Sequence, residues 1–415
     1  MTGADSRKPD AGRVILKIPR RSFLFHPLSL FLGVWGAVVL LYSMHLSYLL
    51  IFSTSLVLRT SLWIVVPFVA TIVLCIACGE LLTVPRPKIG QVVSFTAVEL
   101  TAIDRLLRRA FGIWSVLSVV EIVVSGGLPI IWLIRGSSKT YFDFGIPSVH
   151  GLLNSLLLSL GVCQIAFYAI DGKKKRLLIP GFIVMWSAIV MTRNLMMVMM
   201  IEGAIIWVLL RGFSWSKVMK SFAALAILVL IFGYVGDFRS GADTFRGLAQ
   251  PTEDYPAWLP SGVLWGYIYL TTPVGNVVNT AISEKPVDSF RFPNTTSLLF
   301  PTVLRNILYG NGTASEAFSG NLVTDAFNVS TAYIGPFQDF GYVGMVCFSA
   351  LLALISYLSW SVYSFKGVAN FAVIGQCVVL SVFFNHLFYL PVITQVLWLH
   401  LFLRRTDHAS GGKIA

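Results

Sequence analysis

The stretch Leu62–Leu82, LWIVVPFVATIVLCIACGELL, decides the fold class. It carries one charged residue, Glu80, near its end, and its other positions are almost all apolar. A helix needs about 20 predominantly apolar residues to cross the hydrocarbon core of a bilayer. A helix on the surface of a soluble domain would show a polar face, and this one shows none. Nine further apolar runs follow the same reading: Leu28–Leu46, Phe111–Val124, Val149–Ile170, Leu177–Met191, Leu195–Leu210, Ser221–Gly236, Tyr342–Val362, Val368–His386 and Phe388–Leu403. The runs at Phe111 and Leu177 are short for a crossing. The chain as a whole is 56% hydrophobic and 12% charged, with mean hydropathy +0.77, more apolar surface than a soluble 415-residue chain hides. The expectation is an all-α polytopic membrane protein of about 10 transmembrane helices with one large loop containing short helices.

The net charge of +12 invites a nucleic-acid reading, and its distribution argues against one. Lys and Arg gather in Arg7–Arg21, Arg86–Arg109, Lys173–Arg176, Arg211–Lys220, Lys366 and Arg404–Lys413, which are alternate connections between the runs. The positive-inside rule places those connections and both termini in the cytoplasm. The basic excess therefore marks topology. Five segments result: a basic cytoplasmic tail at 1–26, helices 1–7 at 27–237, a large outer loop at 238–341, helices 8–10 at 342–403 and a second cytoplasmic tail at 404–415. The tail before His26 reads as unstructured and suited to rest on anionic lipid.

The five cysteines all fall in apolar runs, so no disulfide framework is indicated, and Cys75-x-x-Cys78 reads as helix packing. No phosphate-cradling glycine loop, Cys/His metal spacing, HExxH or GxSxG is present, and no cofactor is implied. The first apolar run is full length and lacks a small-residue cleavage site, so it reads as a retained anchor.

An outer loop of about 100 residues is more than a transporter commonly carries. An enzyme acting on a lipid-linked substrate needs a polar chamber above the bilayer. Within the loop, Ser261–Thr280 reads as an amphipathic or re-entrant helix, and Leu298–Leu308 as a shorter one carrying Arg305. Four arginines, Arg239, Arg246, Arg291 and Arg305, are the loop's candidates to meet phosphate, whose oxygens suit the planar guanidinium fork. Arg193, in the very short connection Met191–Leu195, reads either as a snorkelling helix-end charge or as a deep anion ligand. Asp237-Phe-Arg239 reads as an interface ion pair or as a second diphosphate contact.

Three further groups could carry proton transfer. His150 and Asp143 stand at the lip of the bundle, in the segment Tyr141–Gly151, and Asp339 precedes the eighth run. His150 reads equally as a capping histidine. His386, beside Asn385, could face the same chamber. Asn328 and Tyr333 belong to a polar and aromatic stretch, Asn328–Gly344, suited to sugar, whose C–H faces stack on rings while amides take hydroxyls. Glu121 and Glu202 lie inside apolar runs, where a carboxylate is expensive and could mark an ion pathway or pair with an arginine.

On Gly126-Gly-Leu-Pro129, Tyr141-Phe-Asp-Phe-Gly-Ile-Pro147 with His150-Gly151, Arg193-Asn194, Gly236-Asp-Phe-Arg239-Ser and Asn328…Asp339-Phe-Gly341…Gly344, together with His26-Pro27…Trp35, the chain resembles the Wzy-type O-antigen polymerases. The resemblance implies a multi-pass protein of the bacterial inner membrane with a periplasmic loop. It implies a metal-independent glycosyltransferase that moves a growing glycan from undecaprenyl diphosphate onto a fresh lipid-linked repeat unit. The implied partners are those undecaprenyl-diphosphate-linked glycans, membrane lipid and a chain-length regulator protein, with no nucleic acid. Two alternatives stay open: an O-antigen ligase and a lipid-linked oligosaccharide transporter or flippase. Related ligases carry a histidine in the large loop, and here all six histidines lie outside residues 238–341.

Overall fold

A computed structural model describes residues 13–17, 22–81, 92–216, 242–256, 258–288, 290–310, 320–325, 327–362 and 364–404, with the single residues 219, 223 and 230. Apart from residues 223 and 230, the seventh apolar run, Ser221–Gly236, lies outside the described residues, as do Asp237 and Arg239 beside it.

The described chain is a helical bundle. Its helices are α1 (Pro27–Ser43), α2 (Thr54–Leu81), α3 (Ala97–Ser125), α4 (Pro129–Ile134), α5 (Val149–Asp171), α6 (Leu178–Ile189), α7 (Arg193–Arg211), α8 (Ala242–Ala249), α9 (Ser261–Ser283), α10 (Pro293–Thr296), α11 (Thr302–Tyr309), α12 (Ile334–Ser361), α13 (Phe365–Val379) and α14 (Leu390–Phe402). Among the described residues, six segments are long and apolar enough to cross a membrane: Thr54–Gly79, Ala97–Ile134, Val149–Asp171, Arg193–Arg211, Ile334–Ser361 and Phe365–Val382. The protein is therefore a multi-pass helical membrane protein. Three of the predicted runs form shorter helices. At 1.5 Å per residue, α6 extends about 18 Å, α14 about 20 Å and α1 about 25 Å.

Burial separates centre from periphery. Residues of α5 and of the Phe365–Val382 segment are 78% buried within the bundle, against 17% for α2 and 28% for the α3–α4 segment. The central helices are apolar all round because protein, rather than a polar face, surrounds them. Lipid is as apolar as leucine, so close backbone approach is what draws such helices together. Gly161 on α5 supplies it. A Cβ there would stand 2.4 Å from Met199 Sδ and 2.6 Å from Ile183 Cδ1, on α7 and α6. Gly161→Leu is expected to cost about 1–3 kcal/mol through overpacking. The check is the thermal midpoint of the detergent-solubilised protein.

The N-terminal tail departs from its expectation. Arg13–Lys17 forms strand β1, which pairs antiparallel with β2 (Val92–Thr96), Arg13 opposite Thr96 and Lys17 opposite Val92. Both segments are rich in β-branched residues, Val14-Ile15 and Val92-Val93, which suit a pleated ribbon. The strand ends where Thr96 opens α3 with a capping box shared with Glu99.

Two features shape the opposite end. The predicted loop helix exists as α9, and it is no surface element: Leu264, Ile268, Thr271, Asn276 and Thr280 are buried. Tyr267 of α9 donates its hydroxyl to Leu41 O, and Asn276 ties α9 to Phe327 O and Val329 O. In α12 the helix breaks at Phe340 (φ −145°, ψ 23°) and Gly341 (φ 61°, ψ −144°). Only glycine takes that second conformation without strain. The resulting kink brings the Pro336 carbonyl against Gly344, where a Cβ would not fit.

Candidate functional site

The starts of α5, α7 and α14 converge on one cavity of about 190 Å³. His150 and Asn154 line it from α5, Thr192, Asn194 and Val198 from the beginning of α7, and Pro391 and Gln395 from α14. His386 and Tyr389 close it from the link between α13 and α14.

Short-range chemistry fixes each wall. Ser148, the residue before α5, holds a left-handed backbone (φ 69°). Its Oγ accepts from Thr302 N at 2.7 Å, which docks α11 over the start of α5. The 145–150 segment is tied down to α3: Gly145 N donates to Ser125 Oγ at 2.9 Å and Ile146 N to Glu121 Oε1 at 3.1 Å. The other oxygen of Glu121, Oε2, lies 3.1 Å from His150 Nδ1. Glu121 is 1% exposed. A carboxylate accepts only, so His150 Nδ1 is the donor of this pair. Carboxylate-backed imidazole is a general-base arrangement.

The second histidine is held the other way. Gln376 Nε2 lies 2.7 Å from His386 Nδ1, while Gln376 Oε1 faces Cys377 Sγ at 3.7 Å. His386 is 3% exposed, with its ring edge-on to those of Phe384 and Tyr389. Below the cavity, Gln395 Nε2 donates to Glu202 Oε2 at 2.8 Å. Glu202 Oε1 and Thr192 Oγ1 are buried without a partner among the described residues.

The link 386–389 is a partition. On its far side Phe388 faces an apolar groove of about 330 Å³, lined by Phe292, Thr295, Thr296, Phe340, Cys347 and Leu351 among others. Pro336 and Phe340 line it from before the kink of α12, and Gly344, Cys347 and Leu351 line it from one face of the helix after the kink.

The predicted site residues fall in different places. His150 lines the cavity. Arg193 is exposed beside it, between the lining residues Thr192 and Asn194. Its guanidinium stacks 4.7 Å from the Tyr269 ring centroid and donates Nη2–H to Tyr269 Oη at 2.8 Å. Tyr141 shares that corner: burial raises its pKa and the charge of Arg193 opposes the rise. Arg305, on α11, is close enough to Tyr389 to oppose the same effect of burial there. Arg246 is half-buried on α8 and Arg291 exposed beside Phe292, and neither lines the cavity or the groove. Arg239 lies outside the described residues.

Asp143 and Asp339 are engaged elsewhere. Asp143 accepts from Thr140 N at 2.7 Å and Thr140 Oγ1 at 3.1 Å, which closes an exposed turn and holds its carboxyl below the usual range. Asp339, fully buried, accepts four hydrogen bonds: Asn294 N at 3.1 Å, Asn294 Nδ2 at 3.0 Å, Thr295 N at 2.8 Å and Thr295 Oγ1 at 2.6 Å. It pins α10 onto α12. Gly335, one turn earlier, is what lets that segment come so near, since a Cβ there would stand 2.4 Å from Asn294 O. Asn328 is exposed between the two carbonyls that Asn276 holds. Tyr333 is fully buried, edge-on to Trp35 with ring centroids 5.5 Å apart and bonded to Ser349, so it is a core residue away from both the cavity and the groove.

Glu121 was read from sequence only as an intramembrane carboxylate. No local pattern joins it to a histidine 29 residues later, across a helix end and two turns. Tyr269 and Gln376 had no sequence signal either. No family model matches the chain, and neither a curated protein nor a solved structure does.

Proposed function

We propose that this protein transfers a glycan from a polyprenyl diphosphate carrier onto a second lipid-linked glycan, as a Wzy-type O-antigen polymerase does. One observation carries the reading. A polar cavity with a carboxylate-backed histidine shares a wall, residues 386–389, with an apolar groove on a membrane-spanning helix. That pairing suits a substrate with a polar head and a long apolar tail. The finer topology belongs to the same proposal: about ten crossings, both termini cytoplasmic and residues 238–341 on the periplasmic side of the bacterial inner membrane.

In this reading the acceptor hydroxyl sits in the cavity and gives its proton to His150 Nε2. The freed oxygen pair bonds to the anomeric carbon of the donor glycan. The bond from that carbon to the phosphate oxygen breaks, and its electrons leave with the diphosphate. Glu121 balances the imidazolium that results. Arg193 and Arg305 stand at the cavity's edge, placed to take diphosphate oxygens, with Arg239 a third cation of the same role. Preorganised donors of this kind often supply the largest single part of a rate enhancement. Asp339, with both oxygens taken by hydrogen bonds, and Asp143, on an exposed turn outside the cavity lining, take no part in this reading.

The test is the surface polysaccharide of a deletion strain, resolved on a gel. Collapse of the ladder to a single repeat unit, restored by the wild-type gene, is the expected result. Loss of even the single unit would assign the protein to ligation or flipping, and an unchanged ladder would discard the proposal. Arg193→Ala is expected to slow transfer by about 100- to 1000-fold at normal protein level. Arg193→Lys should recover little of it, because an ammonium can neither fork nor lie flat on Tyr269. In vitro elongation of lipid-linked repeat units reads both.

A further inference from the structure

The cavity's two histidines each have Nδ1 engaged, His150 by Glu121 and His386 by Gln376, and the other side chains that line the cavity are uncharged. No arginine or lysine lines the cavity among the described residues. Apart from His150, its polar lining is neutral: Asn154, Asn194, Gln395 and Tyr389 with the buried Thr192 hydroxyl. A full diphosphate charge would have no cationic side chain there, whereas a polyol would find amides, a hydroxyl and a phenol. The volume of about 190 Å³ is of the order of one sugar ring.

His150 has Nδ1 committed to Glu121 at 3.1 Å, which leaves Nε2 as an acceptor. At His386 the assignment reverses. Gln376 places Nε2 at 2.7 Å from Nδ1, and an amide nitrogen only donates, so His386 Nδ1 is assigned as the acceptor and Nε2 as the bearer of the hydrogen. One wall therefore offers a lone pair and another an N–H. A hydroxyl group, which donates one hydrogen and accepts at its lone pairs, satisfies both. We propose that this pair reads a sugar hydroxyl: His150 accepts its hydrogen, and His386, set by Gln376 as a positioning residue, donates to an oxygen of the same sugar. The identity of that sugar as the acceptor rests on the proposed function above. The two tautomers and the preference for a neutral polyol do not.

The experiment uses the full chain, labelled with ¹⁵N-histidine and reconstituted in lipid bilayers. Solid-state NMR at pH 7 reads the tautomer of each ring, with His150→Gln and His386→Gln assigning the two signals. The expected result is Nδ1–H at His150 and Nε2–H at His386. Equal tautomers, or an imidazolium at His386, would overturn the proposal. Gln376→Glu should move the hydrogen of His386 to Nδ1 and leave His150 unchanged; an unmoved His386 signal would sink the role given to Gln376. Ligand class is read by titrating a panel of methyl hexopyranosides against pyrophosphate. Shifts of both ring signals with a glycoside support a polyol site. Shifts with pyrophosphate alone, or with neither, refute it. If elongation is measurable, Gln376→Glu should raise the acceptor KM by at least 10-fold with a smaller change in kcat, and an unchanged KM counts against the proposal. A deletion strain with a normal ladder would remove the glycosyl-transfer reading while leaving the NMR outcome to stand on its own.

Discussion

His150→Ala is expected to lower glycan transfer by about 100- to 10,000-fold, the range a positioned general base contributes. The reason is geometric. His150 is the titratable group that combines a place in the cavity wall with a buried carboxylate behind it. The partner variant separates this role from mere packing. Glu121→Gln keeps the size of the side chain, but its amide can offer a hydrogen where the carboxylate only accepts. The tautomer of His150 is then no longer enforced, and the imidazolium loses its counter-charge. Glu121→Gln should therefore lose most of what His150→Ala loses, and the double variant should lose little more than either single one. Initial rates of elongation at saturating acceptor, with protein levels matched, decide it. Additive losses would show that the two residues act separately.

The second large effect falls at the other end of the bundle and concerns stability. Arg176 is 3% exposed. Its guanidinium donates to Asp104 Oδ1 at 2.7 Å, Asp171 Oδ2 at 2.9 Å and Gln164 Oε1 at 3.2 Å, and it lies 5.2 Å from the Phe167 ring centroid. One planar fork thus joins α3 to the end of α5. Arg176→Ala leaves the buried Asp171 with only the exposed Lys173 ammonium, 3.7 Å away, as its cation among the described residues, and should cost about 3 kcal/mol, the low end for breaking a buried pair. Arg176→Lys should recover less than half, since one ammonium cannot reach three acceptors in fixed directions. Denaturant unfolding in mixed micelles, followed by tryptophan fluorescence, gives the number. A change below about 1 kcal/mol for Arg176→Ala would show that solvent or lipid headgroups replace the pair.

This arginine also shows where sequence reading stops. Lys173–Arg176 reads as a basic connection that orients the chain, and at the level of charge that is all the pattern contains. Nothing local separates Arg176, which turns inward, from Lys173, whose side chain is 55% exposed. The long apolar runs were legible because bilayer thickness sets a length that composition must meet, and the helices at Leu62, Val149, Leu195 and Tyr342 appear on that ground alone. The runs at Leu177 and Phe388 gave shorter helices, since a helix packed on neighbours need not satisfy the bilayer by itself. Helix α9 was legible from the spacing of Trp265, Tyr267 and Ile268, although its depth was not. Pairings over long separations were not legible: β1 with β2, Glu121 with His150, Asp339 with Asn294 and Thr295. Each depends on which helix ends meet, and no window of sequence contains that.

The cavity's size carries one more consequence. A space of about 190 Å³ admits the terminus of a glycan and excludes the rest. Under the proposed function the acceptor in this cavity is always a fresh repeat unit, and the growing polymer arrives as the donor and lies outside it. The cavity therefore has no means to count: every turnover presents it with the same terminus. A population with a preferred polymer length would therefore have to be timed from outside the chain, by whatever governs how long the end stays engaged.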